Sequence, residues 1–210
     1  FETGGYYGGQ QICNSFVNVP HAPKLTKGIL DVVFWPYDSK THQIDVSKAE
    51  KMIKEKNPSL LIMGRAQILF SPEPVKEIKE IAEEVGACVH YDASHVLGLM
   101  AGKRFFNPLD EGADVMTGGH TKSFPGPQGG IVLTNSEEIY LKLQGGKGGI
   151  FNRPIVCNYH MARVAALGAA LAEMKEFGEA YADQVLRNSV ALGEDMSDLG
   201  FNVLYPEYGF

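Results

Sequence analysis

Only three cysteines, Cys13, Cys88 and Cys157, occur in the 210 residues, and they are widely spaced. An odd, scattered set excludes a disulfide framework and fits no zinc-ligand spacing, so reduced thiols and a cytoplasmic location are expected. Long apolar runs are also lacking: none approaches the ~18–20 residues that a membrane span needs. No signal-peptide pattern is visible either. Basic clusters are missing. With 19 Lys and Arg against 25 Asp and Glu, the net charge is -6 and the pI near 5.5, which argues against a nucleic-acid surface. The signatures GxGxxG after a strand, GxxxxGK[ST] and HExxH are absent, so dinucleotide, P-loop and zincin readings have no support. No repeat, low-complexity segment or Ser/Gly linker divides the chain.

What is present is the composition of an ordinary globular protein, 44% hydrophobic and 21% charged. Short apolar runs alternate with amphipathic segments, the pattern of a mostly parallel central sheet flanked by helices, an α/β class. Strands are expected at Ile29–Phe34, Leu60–Met63, Ala87–Tyr91, Asp114–Thr117 and Gly130–Thr134. The third is nearly all apolar, as a strand buried on both faces should be. In Val46–Lys56, Ala49, Met52 and Ile53 fall on one side of a helix, with Asp45 as its N-cap. Pro72–Val85 reads likewise, with Ser71 as cap and Gly86 as stop. Ser136 is expected to cap a helix running through Leu143. From Pro154 the chain turns Ala-rich, and two helices are expected, Pro154–Phe177 and about Ala180 to Leu199. The resulting partition is a core over 1–153, long helices leading out over 154–200, and the start of a further domain over 201–210. The chain begins at Phe1 without methionine and reads like the middle of a longer protein.

Two segments carry chemistry. In VHYDASHVLG an apolar strand ends in Asp92, and a turn of small residues leads to His95. Ligands of parallel α/β sheets bind beyond the carboxyl ends of the strands, so an acid there can meet a ligand cation. Alone, Asp92 reads equally well as the cap of a turn, and His95 as a packed loop histidine. In ADVMTGGHTKSFPGPQGGIVLT a strand leads through Gly118 and Gly119 to His120, Thr121, Lys122 and Ser123, then through Pro-Gly-Pro into another strand. A lysine in a tight turn between apolar strands is unusual. Partial desolvation there would lower its pKa and favour the neutral, nucleophilic amine. The rival reading is a hairpin with a snorkelling lysine. The run from Cys157 to His160 reads as the start of a helix rather than a catalytic pair.

A strand ending in Asp-x-x-His, followed about thirty residues later by a strand leading to lysine, resembles the aspartate-aminotransferase-like superfamily of pyridoxal 5'-phosphate (PLP) enzymes. The strings HYDASHVLGLMAG, FFNPLDEGADVMTGGHTKSFPGPQGGIVLT and LQGGKGG resemble the serine hydroxymethyltransferase family over nearly the whole chain. The resemblance implies the large domain of that fold, with Lys122 at the position of the Schiff-base lysine. It places Asp92 where an acid pairs with the protonated pyridine nitrogen, keeping the ring an electron sink. His95 falls beside the ring's phenolic oxygen and the substrate carboxylate. Tyr6 falls where a histidine commonly stacks on the ring; a tyrosine can stack there but cannot act as an imidazole base. Gly145–Gly149, with Gly148 and Gly149 closing the turn, matches a loop holding the phosphate of a neighbouring subunit's cofactor, which implies a homodimer or larger assembly.

Together with Tyr6, three further departures from the family fall where the resemblance places the cofactor. Thr121 stands between His120 and Lys122, where the family has histidine directly before the lysine. Ala66 or Gln67 replaces a serine near the ring. Arg65 has no counterpart role. The implied activity is transfer of a hydroxymethyl group between serine and glycine, with tetrahydrofolate as carrier. The alternatives are a folate-free β-hydroxy-amino-acid aldolase or transaldolase, and a non-catalytic structural or regulatory relative. The phosphate-cup segment expected before Phe1 and the carboxylate-binding arginine expected after Phe210 are not among these residues.

Overall fold

The computed structural model describes residues 33–38, 41, 43–64, 73–144 and 160–203. In chain order these form α1 (Val46–Lys56), β1 (Leu60–Met63), α2 (Val75–Val85), β2 (Cys88–Asp92), α3 (Leu97–Ala101), β3 (Val115–Gly119), β4 (Gly130–Leu133), α4 (Glu137–Gln144) and α5 (Met161–Asp198). The strands form one sheet in the order β1-β2-β3-β4. The first three run parallel and β4 returns antiparallel beside β3. This is the mostly parallel, helix-flanked sheet expected from the alternating pattern.

The local rules act where the sequence places them. Asp45 accepts a hydrogen bond from the Lys48 amide and caps α1, whose Ala49 and Ile53 are buried. Gly86 ends α2 in the left-handed conformation. Ser136 Oγ accepts from the Ile139 amide at the start of α4. The start of α2 differs from expectation: the helix begins at Val75, with Pro74 as its cap residue. Glu73 instead turns inward, where its carboxylate accepts from the Gly64 amide and the Tyr37 hydroxyl. Ser71, Pro72 and residues 29–32 of the strand expected at Ile29–Phe34 lie outside the described residues; at its end Phe34 is in an isolated bridge.

The expected break between two long helices does not occur. α5 is one 38-residue helix that runs through Gly178 without a turn. Gly178 serves contact rather than termination. A Cβ placed on Gly102, just after α3, would collide with the Gly178 carbonyl and the Ala182 methyl. Glycine and alanine therefore let the two backbones close up, and the packing gained outweighs the weak helix preference of glycine.

The core gathers the inner faces of these elements, including Ile53, Leu61, Met63, Ile78, Val89, Val96 and Met116. Each fully buried aliphatic chain contributes roughly 1.5–3 kcal/mol through removal from water. The two faces of the sheet differ. Leu61, Met63, Val89, Tyr91 and Met116 point into the core, whereas alternate residues Leu60, His90 and Val132 lie on a half-open face. β2 is thus not apolar on both faces: His90 and Asp92 share the second one.

Candidate active site

The site forms where β2 and β3 end side by side. Asp92 is the last residue of β2 and sits opposite Thr117 of β3 in the parallel register. Its side chain is only 2% exposed. Oδ1 accepts from the Ser94 amide at 2.9 Å, so the carboxylate braces its own turn. Among the described residues no group hydrogen-bonds Oδ2. A buried carboxylate with an unmet acceptor is costly unless a ligand pairs with it. Two residues back on the same face, His90 Nε2 lies 2.8 Å from Thr117 Oγ1. Burial holds the His90 imidazole below its ordinary pKa, partly opposed by the charge of Asp92.

The turn after Asp92 carries His95, and the turn after β3 carries Lys122. These two side chains meet: Lys122 Nζ donates to His95 Nε2 at 3.0 Å. Burial, and then the positive charge of Lys122, depress the pKa of His95, with Asp92 opposing. A neutral imidazole accepting from an ammonium follows from that balance. The expectation of a partly desolvated lysine is not met among the described residues, because Lys122 is exposed. Its loop projects from the end of the sheet, and the partner it finds is an imidazole rather than an apolar wall.

His120 takes a different direction. It is buried, its Nδ1 hydrogen-bonds the Pro127 carbonyl, and its ring lies edge-on to Phe124. It staples the loop shut rather than standing beside Lys122. Thr121 is exposed. Tyr6, Arg65, Ala66, Gln67, Gly148 and Gly149 lie outside the described residues. Three contributors escaped the sequence reading: His90, Ser123, whose Oγ accepts from the Gly98 amide at 3.0 Å, and Tyr181, whose hydroxyl donates to the Ser123 carbonyl at 2.9 Å. Only His90 carried a sequence signal, its spacing of two from Asp92.

Chemically, the set offers a primary amine, an imidazole that can hold or pass its proton, and a buried anion. Such a set can bind an aldehyde covalently and pair with a heteroaromatic cation. Among the described residues no group of three His, Cys, Asp or Glu is arranged to hold a metal ion. Nor is any helix among them long and apolar enough to cross a membrane.

Comparison with known proteins agrees with this architecture. A solved structure of L-threonine transaldolase from Pseudomonas fluorescens superposes with a TM-score of 0.77 at 27% identity, covering 89% of this chain and 42% of that one. The chain therefore shares the mostly parallel α/β fold of a PLP-dependent transferase. The family model for serine hydroxymethyltransferase matches residues 18–206. The serine hydroxymethyltransferase of Methanosphaera stadtmanae is 45% identical over 202 residues, 92% of this chain and 46% of that protein. That of Pyrococcus horikoshii is 44% identical over 198 residues, 92% of this chain and 45% of that protein. The chain belongs to the serine hydroxymethyltransferase family, and it spans somewhat under half the length of these relatives.

Proposed function

We propose that the chain carries the PLP-binding part of an amino-acid enzyme that transfers a hydroxymethyl group between serine and glycine. The observation that carries this reading is the convergence of Lys122, His95 and an Asp92 Oδ2 that no described residue hydrogen-bonds on the ends of two adjacent parallel strands. The donor set fits pyridoxal phosphate: an exposed amine suits its aldehyde, and a buried carboxylate with a free acceptor suits its ring cation. When bound, this cofactor supplies an electron sink for charge developing at the substrate's α-carbon.

The remaining work falls to the protein. Lys122 would hold the cofactor's aldehyde through its exposed amine. His95, kept neutral by burial and by the neighbouring ammonium, accepts a hydrogen bond from Lys122 Nζ at Nε2 and so orients the amine. Asp92 keeps a fixed negative charge at a strand end and needs little reorganisation to meet a cation. His120 and Thr121 support the lysine loop. Tyr6 stacking on the ring, and Gly148 and Gly149 holding a neighbour's phosphate in a homodimer, are carried by the family resemblance alone. A cytoplasmic location rests on the sparse cysteines.

The transaldolase likeness favours a second reading, aldol chemistry on a β-hydroxy amino acid without folate. Turnover separates them. Hydroxymethyl transfer requires tetrahydrofolate for glycine formation from L-serine; folate-independent cleavage of L-threonine together with folate-independent serine turnover would support the second reading.

A further inference from the structure

Tyr181, on the long helix α5, reaches into the scaffold of the site although it touches none of the reacting groups. Its hydroxyl donates to the carbonyl of Ser123, the residue directly after Lys122, at 2.9 Å. Ser123 is held a second time, because its Oγ accepts from the Gly98 amide at 3.0 Å, at the start of α3 and three residues past His95. The approach is close enough that a Cβ on Gly98 would collide with the Ser123 carbonyl. Lys122 and His95 are thus carried by two segments fastened to each other at Ser123. Tyr181 fastens that joint to α5.

The turn of α5 that bears Tyr181 is itself clamped. Gly178 and Ala182 lie buried against Gly102, on the approach described above. On either side, Lys103 Nζ meets Glu179 at 2.6 Å, and Arg104 grips both carboxylate oxygens of Asp183, with Nη2 to Oδ2 at 3.0 Å. The exposed ion pairs contribute little energy singly. With the close glycine contact they fix the rotation of α5 about its axis, and so the place of the Tyr181 hydroxyl. The hydroxyl of this half-buried tyrosine finds its partner in the backbone next to the candidate catalytic lysine.

We infer that Tyr181 is a positioning residue for Lys122: its hydrogen bond to the Ser123 carbonyl holds the lysine loop where Nζ meets His95. The chemical importance of that position rests on the reading of Lys122 as the cofactor lysine, but the positioning itself is tested without cofactor. Tyr181→Phe keeps the ring and removes only the hydroxyl. In the full chain without pyridoxal phosphate, amide exchange in a peptide spanning Lys122 to Gly126 should quicken about five-fold, the loss of one neutral hydrogen bond. Exchange in β2 should not change. The His95 titration, which feels Lys122 and Asp92, should move upward toward the value found in Lys122→Ala, because the ammonium no longer stays beside it. Loss of packing alone does not produce that second shift. Unchanged loop exchange overturns the inference, and so does faster exchange with an unmoved His95 titration. Adding pyridoxal phosphate to the unmodified chain, followed by borohydride, tests the other reading separately: no capture at Lys122 would overturn the cofactor assignment and leave the exchange and titration results to decide the role of Tyr181.

Discussion

The turn after β2 buries its acid, whereas the turn after β3 exposes its lysine. Both leave the same end of the sheet, and both carry groups of the candidate site, yet they are stiffened by different means. Asp92 sits within the strand end and is braced by an amide of its own turn, a local contact over two residues. The Lys122 loop is held from a distance by Gly98 and Tyr181, 25 and 58 residues away from Ser123, and by the His120–Pro127 contact within the loop. The difference suits the two tasks. A charge is held most rigidly inside the sheet, and an amine proposed to bind a ligand covalently keeps its access on a loop anchored by its neighbours.

The largest effect expected from breaking this contrast is at the joint. Gly98→Ala forces a methyl group into the Ser123 carbonyl, a backbone group with no room to yield. Destabilisation on the order of 3 kcal/mol is expected in urea unfolding, with loss of the Lys122–His95 contact. Asp92→Asn should separate stability from binding. An asparagine oxygen can still accept from the Ser94 amide, and an uncompensated buried charge is removed, so the cofactor-free protein should be as stable or about 1 kcal/mol more stable. Affinity for pyridoxal phosphate should nonetheless fall at least about ten-fold, roughly 1.4 kcal/mol. Lys122→Ala, on the exposed side of the comparison, should change unfolding free energy by no more than about 0.5 kcal/mol.

The smallest effect is the most local. His95 titrates below the ordinary histidine value because of burial and then Lys122, with Asp92 opposing. NMR titration should therefore find its pKa raised in Lys122→Ala, where a like charge is lost, and lowered further in Asp92→Asn, where an opposite charge is lost. Because the folded imidazole binds its proton more weakly than the unfolded one, the stability it contributes is present above the ordinary histidine pKa. That contribution is lost as pH falls through the unfolded value toward the lower folded one.

Much of this arrangement was legible in the residues. The described strands and the caps at Asp45 and Ser136 follow from patterns that act over a few residues, whereas the pairing of a strand-ending Asp92 with Lys122 came from the family resemblance. The contacts that were missed act over longer separations. Nothing in the sequence around Tyr181 says that its hydroxyl reaches the Ser123 carbonyl, since only the packing of α5 against α3 brings them together. The same packing explains why α5 continues through Gly178, where two helices were expected on either side. A glycine inside a helical pattern can end the helix or admit a neighbouring backbone, and that choice depends on a partner 76 residues away at Gly102. His120 shows the converse: beside a candidate catalytic lysine it reads as part of the site, but its ring is turned inward by Pro127 and Phe124.

Lys122 is proposed as the residue that binds the cofactor's aldehyde. Borohydride reduction of the chain incubated with pyridoxal phosphate, followed by peptide mapping, tests it most directly. A stable cofactor adduct is expected on the Lys122 peptide, formed at stoichiometric cofactor and abolished in Lys122→Ala. An adduct distributed over surface lysines such as Lys103 and Lys142, or one that persists unchanged in Lys122→Ala, would contradict it.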